Sequence, residues 1–232
     1  MTLISRNARV AGFVYLLLTL IAPFRLIYIP STLFVDGNAT TTADNIAAHE
    51  WLFRLGIVGD LCAGAISLVL TLALFRLFKD VNKHYAVLML FFGFMDTPLY
   101  FFNVLNDAAT LILVRGADFL SVFDKPQRDA LAMLFLRLHG QMIVCAEIFW
   151  GLWLFPLAVL VFRSGFLPRF LAIWLVINGF AYLALSFTGL LLPQYDDIVS
   201  NIAFPAQFGE IAFMLWLLFM GAKSRTAPAA TI

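Results

Sequence analysis

Six apolar stretches follow one another along this chain with only short polar turns between them. They run over about 10–29, 53–78, 84–114, 126–162, 168–192 and 201–220. A helix that crosses the hydrocarbon of a bilayer needs about 20 mostly apolar residues, and a tilted strand about 9–11. A lipid environment offers no partner to unpaired backbone groups, so runs of this kind fold as helices or as a closed barrel. Their length selects helices. Composition agrees: 62% of residues are hydrophobic and 12% charged, against about 45–50% apolar and about 25% charged in soluble domains. The expected fold is all-α, a polytopic membrane protein with a bundle of six transmembrane helices. Residues 1–222 are expected to form one domain and residues 223–232 a disordered cytoplasmic tail.

The turns give the boundaries and the orientation. Arg6 and Arg9 precede the first run, and Pro23-Phe24-Arg25 stands where a signal-peptide cleavage site would need small residues. The run therefore reads as an uncleaved first span, bent at Pro23 and ended by Pro30. Between the first two runs, Asp36-Gly37-Asn38 marks a turn, and Asp44 is the expected cap of a short surface helix reaching Trp51. Lys79 to Lys83 and Ser164 to Arg169 read as tight turns, Lys125-Pro126 as a helix start, and 193–200 as an acidic loop. With the N-terminus inside, nine Lys and Arg residues fall on the inner side and four on the outer, which predicts both termini in the cytoplasm. The net charge of +1 gives no case for nucleic acid. Cys62 and Cys145 fall within spans and read as small buried residues. No internal repeat relates the first three runs to the last three, so a repeat-built transporter finds no support.

The spans are not uniformly apolar. Arg137, His139, Gln141 and Glu147 lie in or near the membrane part of the fourth run. Ionisable groups at that depth are costly and usually face a bundle interior or a wet cavity. Asp96, Tyr100, Asn103, Asp107 and Thr110 form a stripe at steps of four, three, four and three on the third run, and Asp60, Gly64, Ser67 and Thr71 share a face of the second. Asn178 and Tyr182 share a face of the fifth, and Glu210 lies within the sixth. Counting about 1.5 Å per residue from the basic boundaries puts Asp96, Glu147, Asn178 and Glu210 near the midplane. Arg25, Asp60 and Asn103 then lie in the outer half, with Arg137, His139 and Asp107 near the outer interface. The candidate ligand-binding set is Arg25, Asp60, Asp96, Asn103, His139, Glu147, Asn178 and Glu210. Arg25 and Arg137 face four carboxyl groups, so even with both paired, two carboxyls must carry a proton or hold a cation. Asp60 or Glu147 is the expected partner of Arg25. Glu210 is the carboxyl expected to lack a cation, to be protonated at neutral pH and to donate a hydrogen bond to Asn178 or Asp96.

Enzyme chemistry is not signalled. His139 is the only histidine at membrane depth and lacks ligand spacing, so no metal is expected. Haem or any other cofactor is equally unsupported, and Ser67 and Ser186 lie in no nucleophile motif. The expected partners are the lipid bilayer and a small amphipathic or lipid-like ligand, bound or transported in an outward-facing polar pocket. A structural or partner-binding subunit is the main alternative. An enzyme acting on a lipid or isoprenoid is a weaker one.

Two stretches also carry a resemblance. Arg25-Leu26-Ile27-Tyr28-Ile29-Pro30-Ser31 is followed by Gly37-Asn38-Ala39-Thr40 and Asn45-Ile46. Glu147-Ile148-Phe149-Trp150-Gly151-Leu152-Trp153-Leu154-Phe155-Pro156-Leu157 is followed by Ser164-Gly165-Phe166-Leu167-Pro168-Arg169. With the six-span layout, the chain resembles the bacterial integral membrane proteins grouped as domain of unknown function 4386. That resemblance covers most of the chain and brings no activity or substrate. It implies that Arg25 and Glu147 belong to the family's recurrent pattern.

Overall fold

A computed structural model describes residues 3–222, and among these every regular element is helical. The expected tail, 223–232, lies outside the described residues. The elements are α1 (Leu3–Leu33), α2 (Ala39–Ala48), α3 (Glu50–Phe78), α4 (Lys83–Arg115), α5 (Lys125–Ser164), α6 (Arg169–Leu191) and α7 (Asp196–Leu215). All but α2 belong to the six helices long and apolar enough to cross a membrane.

Local chemistry sets most boundaries. Asn82 caps α4 by accepting the Tyr85 amide at 3.2 Å. Asp124 and Gln127 form a reciprocal capping box at the start of α5, with Pro126 in the first turn where its missing N–H costs nothing. Three expectations fail. Pro30 does not end α1: the helix passes through a π turn, Phe24–Tyr28, and continues to Leu33. A proline near the start of a helical turn needs no amide, so it can sit there without breaking the rod. Asn38, not Asp44, caps α2, its side chain accepting the Thr41 amide at 2.9 Å, while Asp44 is inside the helix and pairs with Lys125 at 2.9 Å. The acidic loop is mostly helix. Asp196 and Asp197 form the first turn of α7, where their charge favours the helix dipole.

The spans pack in sequence order around a ring: α1, α3, α4, α5, α6, α7 and back to α1. Close approaches hold it. A Cβ on Gly151 of α5 would lie 2.7 Å from the Gly179 carbonyl oxygen of α6. Small residues at such crossings let helices associate by packing where lipid removes the usual hydrophobic drive. The ring closes at the end carrying the Lys79–Lys83 and Ser164–Arg169 turns. There, a Cβ on Gly12 would lie 2.5 Å from the backbone nitrogen of Leu218, in the π turn Trp216–Met220 that follows α7. Leu74, Phe78, Met89, Leu154, Leu157, Leu171, Phe213 and Leu217 fill the interior at that end. A smaller cluster of Ile29, Leu33, Ile46, Phe53, Leu111 and Leu136 fills part of the opposite end, with α2 laid across α5 and α4. Large apolar residues such as Phe13, Phe102, Leu105, Phe180 and Phe204 point outward, which suits a lipid surface.

Candidate functional site

A ring of six helices leaves space on its axis. Between the two apolar clusters lies a cavity of about 350 Å³. Its walls are largely apolar and aromatic. Arg25, Asp60, Asp96, Asn103, His139 and Glu210 contribute to them. Six of the eight sequence candidates thus meet in one place. The cavity lining runs out to Leu26 and Ile27 of α1 and to Ile211 of α7, all exposed on the outer face of the bundle. Below that point α1 and α7 are drawn together at the Gly12 closure.

Two polar clusters occupy the cavity wall. The first is built on Arg25, which lies in the π turn of α1 and is buried while its neighbours Leu26, Ile27 and Tyr28 are exposed. Short π segments often mark places where a helix re-aims one side chain. Arg25 Nε donates to Asp60 Oδ2 of α3 at 2.6 Å, and Nη2 donates to Asp107 Oδ2 of α4 at 2.7 Å. The same Nη2 lies 2.8 Å from His139 Nε2 of α5. Asn103 ties α4 to α5 by donating from Nδ2 to the His139 carbonyl oxygen at 3.2 Å. One cation therefore fastens four helices.

The second cluster centres on Glu210 of α7 and Asp96 of α4. The Tyr15 hydroxyl of α1 donates to Glu210 Oε1, and Asn178 Nδ2 of α6 donates to Oε2 at 2.9 Å. Tyr182 reaches the same carboxyl. Trp150 Nε1 donates to Asp96 Oδ1 at 2.8 Å and its ring meets Tyr182 edge to face at 5.5 Å. Tyr100 stands within electrostatic reach of Asp60, Asp96 and Glu210. The Trp153 Nε1 donor beside them is buried without a partner.

Several expectations are corrected here. Glu147 does not pair with Arg25 and does not line the cavity. It is half-buried on the side of α5 that faces Asp196, because its helical position lies off the face carrying His139 and Trp150. Asn178 touches the site only through Glu210 and does not line the cavity. Arg137 is not an interior charge: it is exposed and lies 3.7 Å from the exposed Asp36. Asp107, read from rise per residue as interfacial and left out of the candidate set, is fully buried and holds half of the Arg25 contact. Its place on the Asp96–Asn103–Thr110 stripe was the signal that could have found it. Tyr15, Trp150 and Trp153 were also missed, as aromatic residues among many.

Asp60, Asp107 and His139 also bring three donor atoms within 4.8 Å of one another, a spacing a metal ion could use. The Arg25 guanidinium stands among the same atoms and pairs with one oxygen of each carboxylate, while Asp107 Oδ1 stays buried without a hydrogen-bond partner.

Comparisons with known proteins add no chemistry. The chain is 24% identical over 170 residues to an uncharacterized protein of Archaeoglobus fulgidus, a match covering 72% of this chain and 84% of that protein. No solved structure matches it. A family model matches residues 10–221, nearly the whole six-span bundle. The chain belongs to the family described as domain of unknown function (DUF4386).

Proposed function

We propose that this protein binds a small amphipathic molecule in the cavity on the axis of its six-helix bundle. The observation that carries this reading is the cavity itself: about 350 Å³, touched by charged and polar groups of five of the six spans (Arg25, Asp60, Asp96, His139, Glu210) and otherwise apolar. A bundle whose polar groups served assembly alone would close over them. Ligand sites are concave and mostly apolar, with a few convergent polar groups. The exposed lining residues Leu26, Ile27 and Ile211 support access from the apolar phase beside α1 and α7. We assign the protein to the cytoplasmic membrane with both termini inside, on the excess of basic residues at the short-turn end. The cavity then faces the outer half of the bilayer.

Ala146 is buried on the cavity wall, so Ala146→Phe fills the space. Protein purified from membranes should release a near-stoichiometric amphiphile on solvent extraction, read by mass spectrometry, and the filled variant should release none. Equal recovery from both, or none from the unmodified protein together with no thermal stabilisation by a total lipid extract, would end this reading. Orientation is tested separately. After Cys62→Ser and Cys145→Ser remove the native thiols, an impermeant reagent should label a cysteine placed at Asn38 or Asp197 in intact cells and not one placed at Asn82.

A further inference from the structure

We propose that the end of this cavity between Asp96 and Glu210, walled by Tyr15, Tyr100, Trp150 and Trp153, is a site for a lipophilic organic cation: an amine or quaternary ammonium carried on an apolar body. The proposal rests on the cavity being a binding site and names the ligand class that its chemistry selects.

Charge is the first argument. Three acidic residues, Asp60, Asp96 and Glu210, line the cavity, against Arg25 and the imidazole of His139. Arg25 is already shared between Asp60 at 2.6 Å and Asp107 at 2.7 Å, so it offsets nothing at Asp96 or Glu210. Both carboxyls line the same cavity. Among the described residues no ion pair reaches either. An anionic ligand would meet this end unfavourably, whereas an ammonium would supply the cation that neither carboxyl has.

The walls give the second argument. A cation is attracted to the face of Trp and Tyr within about 6 Å of the ring centre, and the gain grows when water is excluded. Tyr15 and Trp153 meet edge to face at 6.2 Å, and Trp150 and Tyr182 at 5.5 Å, which leaves aromatic surfaces around the carboxyls. All of these side chains line the cavity. An inorganic cation such as calcium would require about six to eight oxygen ligands, and rings stand where those would be. Leu18, Leu70, Met142 and Ile143 line the remainder and suit an apolar body.

The test uses the full chain in phosphatidylcholine nanodiscs, with empty nanodiscs subtracted. Three radiolabelled probes share one decyl chain: decyltrimethylammonium, decanol and decyl sulfate. Decyltrimethylammonium should bind saturably, at least about tenfold more tightly than decanol, and decyl sulfate should not bind. Asp96→Asn and Glu210→Gln keep the shape and remove the charge, exchanging one acceptor oxygen for an amide donor. Each should weaken the ammonium by at least about tenfold more than it weakens decanol. The probe series on the unmodified protein stands even if a variant does not fold. Saturable binding of decanol or decyl sulfate as tight as that of the ammonium, abolished by Ala146→Phe, would overturn the cation assignment and leave the cavity reading standing. Absence of saturable binding for all three probes would overturn both.

Discussion

The two polar clusters of the cavity differ in what holds their charge. Around Arg25, one cation meets two carboxylates and an imidazole, all drawn from different helices and all nearly dry. Around Asp96 and Glu210 there are two carboxyls, three aromatic side chains that donate to them (Tyr15, Trp150 and Tyr182) and an amide, and among the described residues no ion pair. The first is closed by the chain itself. The second is satisfied only by neutral donors. Ionisable residues at membrane depth therefore do two jobs here. Arg25 fastens helices, and its removal strands charge. Asp96 and Glu210 line the cavity and meet only neutral donors.

The largest expected effect tests that division directly. Arg25→Ala leaves Asp60 and Asp107 buried without a cation, and breaking a buried pair in this way costs about 3–5 kcal/mol. Unfolding in mixed micelles should show that loss, while Glu210→Gln, which strands no charge and leaves one donor unpaired, should cost less, about 1–3 kcal/mol. Similar values for the two would erase the distinction between the clusters. A double-mutant cycle sharpens it. Arg25 and Asp107 should couple by about 0.5–3 kcal/mol, as contacting groups do, whereas Arg25 and Asn178, which share no partner, should be additive within about 0.5 kcal/mol. A smaller effect is expected at Tyr15→Phe. It removes one of the donors to Glu210 and should cost about 0.5–1.5 kcal/mol, because Asn178 and Tyr182 remain. The smallest belongs to Arg137→Ala. Its side chain is exposed and its contact to Asp36 is long, so the melting temperature should not move. A clear drop there would return Arg137 to the interior.

How far the site was legible in the sequence follows from what a helical pattern can carry. The stripe on α4 marked Asp96, Asn103 and Asp107 as facing one way, and burial agrees. Rise per residue placed Asp107 and His139 at the interface, yet both reach Arg25. Depth counted along a straight axis ignores the length of an arginine side chain and the π turn that aims it. Glu147 failed for a different reason. A single carboxyl on a 40-residue helix that contacts neighbours on both sides has no stripe to fix its direction. The aromatic wall was hidden by abundance, since 25 Phe and five Trp residues give no means of choosing Trp150 and Trp153.

By itself, the sequence determined that the chain crosses a membrane as six helices, because hydropathy over twenty residues and the need to pair every backbone group in lipid are local constraints. It determined as well that Asp60, Asp96, Asn103 and Glu210 lie within helices long and apolar enough to cross a membrane. Which of the carboxyls receives the Arg25 charge, that Arg137 receives none of it, and that a cavity remains between Asp96 and Glu210 were decided only by tertiary structure. Those facts depend on how the helices are rotated about their axes and on the order in which they close a ring, and both are fixed by contacts such as Gly12 on Leu218 between residues far apart in the chain.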